Sequence, residues 1–254
     1  MTRALSGRRV RLATVAAGVG AALITGLAAP AAAQDISINF GQGTGLTERV
    51  IQLVALLTVL SLAPSILVMV TSFTRIVVVL SLLRTALGTA TAPPNSVIIS
   101  LALFLTAFVM GPAFQQAYDI GVKPLMNNEI TTEQAFERSA EPMRAFMLKN
   151  VRDKDLHLFM DMSREPRPDK PDDLSLRILV PAFMISELKR AFEIGFLLFL
   201  PFLIIDLVVA SVLMSMGMMM LPPVVVSLPF KLIFFVLVDG WSLVAGSLVQ
   251  SYGT

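Results

Sequence analysis

The sequence predicts an all-α integral membrane protein made of helical hairpins with a small polar helical insert. The chain of 254 residues is 55% hydrophobic and its mean hydropathy is +0.76. Only 15% of the residues are charged, whereas an ordinary soluble domain carries about 25%. The charges are unevenly placed, since 26 of the 38 lie between residues 119 and 193 and leave long apolar stretches on either side. No stretch alternates apolar and polar residues as a strand does.

Composition excludes most kinds of enzyme site. The chain has no cysteine, so neither a disulfide framework nor a thiolate metal site is available. A single histidine, His157, leaves no material for a histidine zinc site or a Ser-His-Asp triad. Phosphate-binding and protease motifs are missing as well. We therefore expect no enzymatic activity, no cofactor and no metal. His157 lies among charged residues and is expected at the surface, and a membrane-bound enzyme that uses it is an alternative.

Residues 1–33 have the pattern of a cleaved secretory signal peptide. Four arginines precede an uncharged apolar run that ends in small residues. We expect cleavage between Ala33 and Gln34, with Ala31 as a second choice, and an uncleaved anchor helix is the alternative. Without the four arginines, 16 basic and 18 acidic residues remain. The basic pI therefore gives no indication of a nucleic-acid partner.

Residues 34–118 are predicted to hold the N-terminal membrane helices. Apolar segments run from Leu46 to Val70 and from Ser96 to Phe114, and each can cross about 30 Å of hydrocarbon. The connection between them carries Arg75 and Arg84, so the positive-inside rule places it in the cytoplasm. The polar insert that follows then falls on the periplasmic side.

This periplasmic insert, residues 119–180, is predicted to be a small helical module. Thr131 followed three residues later by Gln134 is typical of a capping box at a helix start. Pro142 is expected to break or restart that helix. Asp153 is expected to begin a second short helix. We interpret the insert as a structural module without catalytic residues.

Residues 181–254 are predicted to form a helical hairpin that begins at Pro181 and turns at Met214 to Pro223. Three charged residues interrupt its apolar arms: Asp206, Lys231 and Asp239. A charge at a bilayer centre costs about 2.5–3.5 kcal/mol and normally faces protein or water. We expect these residues to pair within the hairpin or with neighbouring subunits, and proton or ion translocation is the alternative.

Four further charges lie in the first turns of the hairpin: Glu187, Lys189, Arg190 and Glu193. Glu187 can meet Arg190 and Lys189 can meet Glu193, because residues three and four apart share a helix face. They are either exposed pairs of little energetic value or contacts with a partner at the edge of an apolar segment.

Methionine is concentrated at the predicted tip, where five of the chain's 14 methionines lie within residues 214–220. The thioether side chain is unbranched and polarizable, so it packs against varied shapes. Three interpretations stay open: apolar filler that faces lipid or the core, a deformable ring that seals a pore yet yields to cargo, and a copper-handling site, which no histidine or cysteine supports.

Five stretches in a fixed order carry a family resemblance: Thr71 to Gly88, Pro93-Pro94-Asn95 with Leu101 to Leu105, Pro181 to Phe196, the methionine cluster with Leu221-Pro222-Pro223, and Pro229 to Trp241. They resemble the FliP family, the flagellar export-gate proteins, and its injectisome counterpart, and they cover most of the chain after Thr44. The signal peptide and the charged insert favour the flagellar member. One departure is Thr89 to Ala92, where glutamines are expected.

The resemblance implies a non-enzymatic subunit of the type III export gate, located in the bacterial inner membrane at the flagellar basal body. It implies several copies in a helical ring with two smaller membrane proteins, surrounded by lipid, that form a channel for unfolded flagellar proteins. It also implies that Met218, Met219 and Met220 form a gasket around the closed pore and that Glu187 serves subunit contacts or stability.

An ion-coupled transporter or proton channel is the alternative function. In that case Asp206, Lys231 and Asp239 would carry ions midway along the apolar segments. Conduction by the isolated chain would favour this alternative.

Overall fold

The computed structural model describes residues 46–89, 91–163, 174–218 and 220–253, so the cleavage predicted between Ala33 and Gln34 lies outside the described residues. The described part is all-helical, which confirms the predicted fold class. Its α-helices are α1 (Leu46–Val70), α2 (Phe73–Leu87), α3 (Asn95–Ala117), α4 (Lys123–Met126), α5 (Thr132–Asn150), α6 (Asp153–Ser163), α7 (Leu176–Ser215), α8 (Pro223–Leu237) and α9 (Gly240–Gln250). The chain divides into two compact units, residues 1–55 and residues 56–254, and the packed core lies in the second.

Two helical stretches of the described part are long and apolar enough to cross a membrane. One is Asn95–Met126, in which α3 continues through a π-helical turn (Tyr118–Val122) into α4. The other is α7, with 40 residues. Helices α8 and α9 meet at a 63° bend, so they form a third span only if the bent pair crosses as one unit. We call this bent pair the C-terminal arm.

Helix α2 is the centre of the larger core. It is too short to span a membrane. Its apolar face is buried against α3, α7 and the C-terminal arm, at Ile76, Val79, Leu80 and Leu83. Gly195 of α7 permits the close crossing, because a Cβ there would lie 2.3 Å from a methyl carbon of Leu82. The segment that carries both arginines is therefore a packed helix and not a loop.

The insert packs on the first turns of α7 through a smaller core that contains Met147, Leu179 and Phe183. The predicted capping box is confirmed, since the Thr131 hydroxyl accepts from the Gln134 N–H and the Gln134 side chain accepts from the Thr131 N–H. The α5 helix that this box begins packs on α7, as does α6.

Two expectations about proline are wrong. Pro142 does not break α5, which runs through it; Pro142 is buried, and packing on both sides holds the helix together. The long helix begins at Leu176 and not at Pro181, because the Ser175 hydroxyl caps it by accepting from the Arg177 N–H. The border predicted between residues 180 and 181 therefore falls inside α7.

Candidate functional site: two buried charge clusters and a methionine tip

The first charge cluster joins Arg75 of α2 to Glu187 of α7. The guanidinium donates to both carboxylate oxygens, with Nε 2.9 Å from Oε2 and Nη2 bonded to Oε1. The two side chains are 1% and 0% exposed. A buried ion pair is tolerated only when its geometry is good and its remaining polar atoms are satisfied. This bidentate arrangement meets the first condition.

The C-terminal residues meet the second condition. The Tyr252 hydroxyl donates to Glu187, and the Tyr252 ring lies 3.8 Å from the guanidinium carbon of Arg75. The Ser251 hydroxyl accepts from Arg75 Nη1 at 3.0 Å. Burial and the negative charge of Glu187 raise the pKa of Tyr252 far above its usual value, so the phenol remains a donor.

The second charge cluster joins Lys231 of α8 to Asp206 of α7, with Nζ 2.6 Å from Oδ2. The ammonium also donates to the Ala86 carbonyl in the last turn of α2, at 3.1 Å, which suits the negative end of a helix dipole. Gly88, at φ 78°, ends α2 beside this ammonium. The Ser227 hydroxyl donates to the other carboxylate oxygen at 2.5 Å. Each cluster thus connects α2 and α7 to a later part of the chain, the first to Ser251 and Tyr252 and the second to α8.

Of the two pairs that the spacing suggested at the start of the hairpin, Lys189 with Glu193 forms and Glu187 with Arg190 does not. Glu187 is bonded to Arg75, which lies 112 residues away in the sequence, and not to Arg190. Lys189 and Glu193 do meet, at 3.6 Å, as an exposed pair of small energetic value. Neither Lys189 nor Arg190 belongs to a buried cluster.

Asp239 is separated from the other two intramembrane charges. It lies at the bend between α8 and α9, its backbone is in the left-handed region at φ 50°, and it is exposed. Asp206 and Lys231 pair within the hairpin, whereas no ion pair within residues 56–163, 174–218 and 220–253 involves Asp239. Asp206 and Lys231 therefore form one pair, to which Asp239 does not belong.

A third polar network, which the sequence analysis missed, joins the insert to α7. The Asp155 carboxylate accepts from Arg152 Nε and Nη2 at 2.8 and 2.9 Å and from the Ser186 hydroxyl at 2.7 Å. Burial raises the pKa of Asp155, but the hydrogen bonds from Ser186 and Arg152 outweigh it, and the net pKa lies below the usual 3.8.

The buried contacts of Arg75 and Tyr252 were not predicted from the sequence either. Arg75 was assigned to a cytoplasmic connection, yet it is buried and paired, so the orientation argument depends on Arg84 alone. Arg84 donates to Asn95 Oδ1 at 2.6 Å. Two signals were present: Arg75 interrupts an apolar run, and Tyr252 is one of only two tyrosines in the chain.

The methionine tip is a well-defined helix end. Gly217, at φ 73°, donates to the Met214 carbonyl, and Met218 donates to the Leu213 carbonyl, which together form a Schellman motif. Four described methionines of the tip are exposed: Met214, Met216, Met218 and Met220. Met220 is 98% exposed, and Met219 lies outside the described residues. Pro222 and Pro223 then begin α8.

No group of three or more histidine, aspartate and glutamate side chains in the described ranges could hold a metal ion. His157 is exposed on α6. The chemistry that the site offers is therefore ion pairing, hydrogen bonding and apolar contact.

Comparison with known proteins identifies a family and several similar proteins that match most of the described residues. The model of the FliP family matches residues 56–248. The chain is 62% identical over 245 residues to the flagellar biosynthetic protein FliP of Caulobacter vibrioides, a match that covers 96% of this chain and 91% of that protein. It is 56% identical over 202 residues to the protein of the same name from Bacillus subtilis, covering 80% and 91%. The Aquifex aeolicus protein of that name is 51% identical over 219 residues, covering 85% and 91%.

Proposed function

Since the chain belongs to the FliP family and is a non-enzymatic membrane component of the flagellar export apparatus, we propose that its copies line a channel through which unfolded flagellar proteins cross the inner membrane. In this proposal, sister copies assemble with other export-gate membrane subunits at the flagellar basal body, among membrane lipid. The transporter alternative is not retained, because the chain belongs to a family of flagellar export-apparatus components.

The exposed apolar surface supports assembly. In the most apolar stretch of α7, only 11% is buried by other parts of the same chain. A charge is left exposed at Asp239, at the bend of an otherwise apolar arm. Lipid would cover the apolar side chains but would leave this carboxylate without a polar neighbour, which is costly. Contact with another subunit would cover the apolar side chains and also give the Asp239 carboxylate a polar neighbour. The insert lies on the periplasmic side in this proposal.

The methionine tip is the observation that carries the channel proposal. Met218 and Met220 project from a turn that Gly217 and the following prolines define, and nothing in the described part of the chain covers Met220. We propose that Met218, Met219 and Met220 of several copies meet around the channel axis. Such a ring is apolar, so it excludes water and ions, while its unbranched side chains can yield to a polypeptide.

Replacing Met218, Met219 and Met220 together by alanine tests this seal. We expect the closed complex, reconstituted in vesicles, to become leaky to small ions, because alanine leaves an open apolar ring. The matched control replaces Met126 and Met162, which are exposed outside the tip, and should leave the vesicles tight. An intact complex with the triple substitution and an unchanged ion leak would contradict the gasket.

A further inference from the structure

We propose that Tyr252, with Ser251, is a clasp that holds Arg75 and Glu187 in place and makes the protomer competent to assemble. The clasp goes beyond the proposed channel and does not depend on the methionine seal.

The contacts of Tyr252 reach three separate parts of the chain. Its hydroxyl donates to Glu187 of α7 and lies 3.4 Å from the Ser72 carbonyl before α2. Its ring covers the guanidinium of Arg75 and stacks on Phe146 of α5, with ring centroids 5.7 Å apart. Because Tyr252 is 4% exposed, these contacts exclude water from the ion pair. Ser251 and Tyr252 thus close a site whose charges come from α2 and α7.

The position of this contact in the fold gives it a mechanical consequence. The C-terminal arm is held at one end by Lys231, which bonds to Asp206 and Ala86. At the other end, Ser251 and Tyr252 bond to Arg75 and Glu187. Without these bonds, α9 keeps the apolar contacts of Val244 and Leu248 in the core, while the residues after it can move away from the ion pair and from Phe146. Neighbouring subunits would then meet a surface without a defined shape, so assembly requires the closed clasp.

The contributions of the Tyr252 ring and of its hydroxyl can be separated by substitution. Tyr252→Phe keeps the ring over Arg75 and beside Phe146 and removes the hydroxyl, while Arg75 still binds Glu187. Tyr252→Leu keeps apolar volume but removes both the aromatic face and the hydroxyl. Cation–π contact and a hydrogen bond to a charged group each contribute free energy that simple apolar bulk does not.

A thiol at position 72 reports whether the clasp is closed. The natural chain has no cysteine, so a single engineered one is the sole thiol. Ser72 is fully buried beside Tyr252, and its hydroxyl has no hydrogen-bond partner in the described structure, so Ser72→Cys sacrifices no bond there. Thr106→Cys in α3 is the control, because Thr106 is buried and bonds only within its own helix.

The test measures N-ethylmaleimide labelling of each single-cysteine protomer and the ratio of assembled complex to protomer. When Tyr252→Leu is added, we expect the thiol of Ser72→Cys to label about tenfold faster and the complex ratio to fall, while the thiol of Thr106→Cys stays protected. Tyr252→Phe should lie between the unsubstituted tyrosine and Tyr252→Leu in both measurements, because it keeps the ring and loses the hydrogen bond to Glu187. Removal of residues 251–254 should repeat the effect of Tyr252→Leu.

Three outcomes overturn the proposal. If the thiol at position 72 stays protected in Tyr252→Leu and in the truncated chain, the C-terminus does not close the site. If the thiols at positions 72 and 106 gain reactivity together, Tyr252 supports the whole core and not the clasp. If Tyr252→Phe and Tyr252→Leu behave alike, the ring has no specific role. Each result leaves the methionine seal unaffected, so the two proposals fail separately.

Discussion

The buried charges of this chain join different helices, and Arg75 and Glu187 do so across 112 residues of sequence. Arg75 meets Glu187, Lys231 meets Asp206, and Asp155 joins the insert to α7 through Ser186. Removing one partner of a buried pair typically costs about 3–5 kcal/mol, although an apolar pair of the same volume can be equally stable. We infer that these charges select which helices meet more than they add to the net stability.

Asp155→Asn should lower the stability of the protein at neutral pH and should do so less in acid. Its folded pKa lies below 3.8, so the stabilisation is fully present above pH 3.8 and is lost as the pH falls through the lower, folded value. Hydrogen bonds to a charged group are worth about 1.5–3 kcal/mol. The difference in Tm between wild type and Asp155→Asn is therefore expected to be large at pH 7 and to narrow below about pH 4.

Thermal unfolding in detergent at several pH values measures this difference. Glu137→Gln, which changes an exposed carboxylate of the same insert, is the control and should alter Tm little. A Tm difference for Asp155→Asn that is the same in strong acid and at neutral pH would contradict a stabilising role of the Asp155 charge.

For individual helices, features that depend on neighbouring residues could be predicted from the sequence. Features that depend on contacts between distant residues could not. The Thr131–Gln134 box and the bounds of α1 follow from adjacent residues, and both were predicted. Pro142 and Pro181 were misjudged because packing, which the sequence does not display, keeps a helix intact through a proline. The role of Arg75 could not be predicted either, since its partner is 112 residues away and residue patterns reveal only neighbours along the chain.

Gly121→Ala should separate the insert from α3. Gly121 lies in the π-helical turn, where a Cβ would come within 1.9 Å of Ser139 Oγ and 2.8 Å of the Ala135 carbonyl oxygen. The serine side chain can rotate, but the helix backbone of α5 cannot yield without moving. We expect a loss of about 1–3 kcal/mol, as for other overpacked sites, measured as a lower Tm.

Gly111→Ala is the matched control, because a Cβ at Gly111 in α3 has no atom within 4 Å. Alanine favours a helix over glycine, so this variant should be neutral or more stable by up to about 1 kcal/mol. Equal Tm values for the two variants would mean that the π-helical turn does not fix the insert.

For the whole molecule, the sequence identified the membrane class, the helical hairpin and the methionine tip, because composition and proline positions carry that information. The sequence alone does not show which charges contact other subunits, because those contacts form only in the assembly. The structure of one chain shows which charges are already paired and therefore which remain available for a partner. Lys231 and Asp206 are paired, Glu187 is paired, and Asp239 is exposed at the bend of the C-terminal arm.

Asp239→Asn should therefore lower the amount of assembled complex without lowering the amount of protomer. Asparagine tolerates the left-handed backbone at φ 50°, so the bend is preserved while the charge is lost. If a neighbouring subunit supplies a cation to this carboxylate, the ratio of assembled complex to protomer should fall by about tenfold. Lys231→Met is the comparison variant: it leaves Asp206 unpaired within the chain, so the protomer itself should decline. Native electrophoresis of detergent extracts measures both species, and normal assembly of Asp239→Asn would mean that this carboxylate faces water and not a partner.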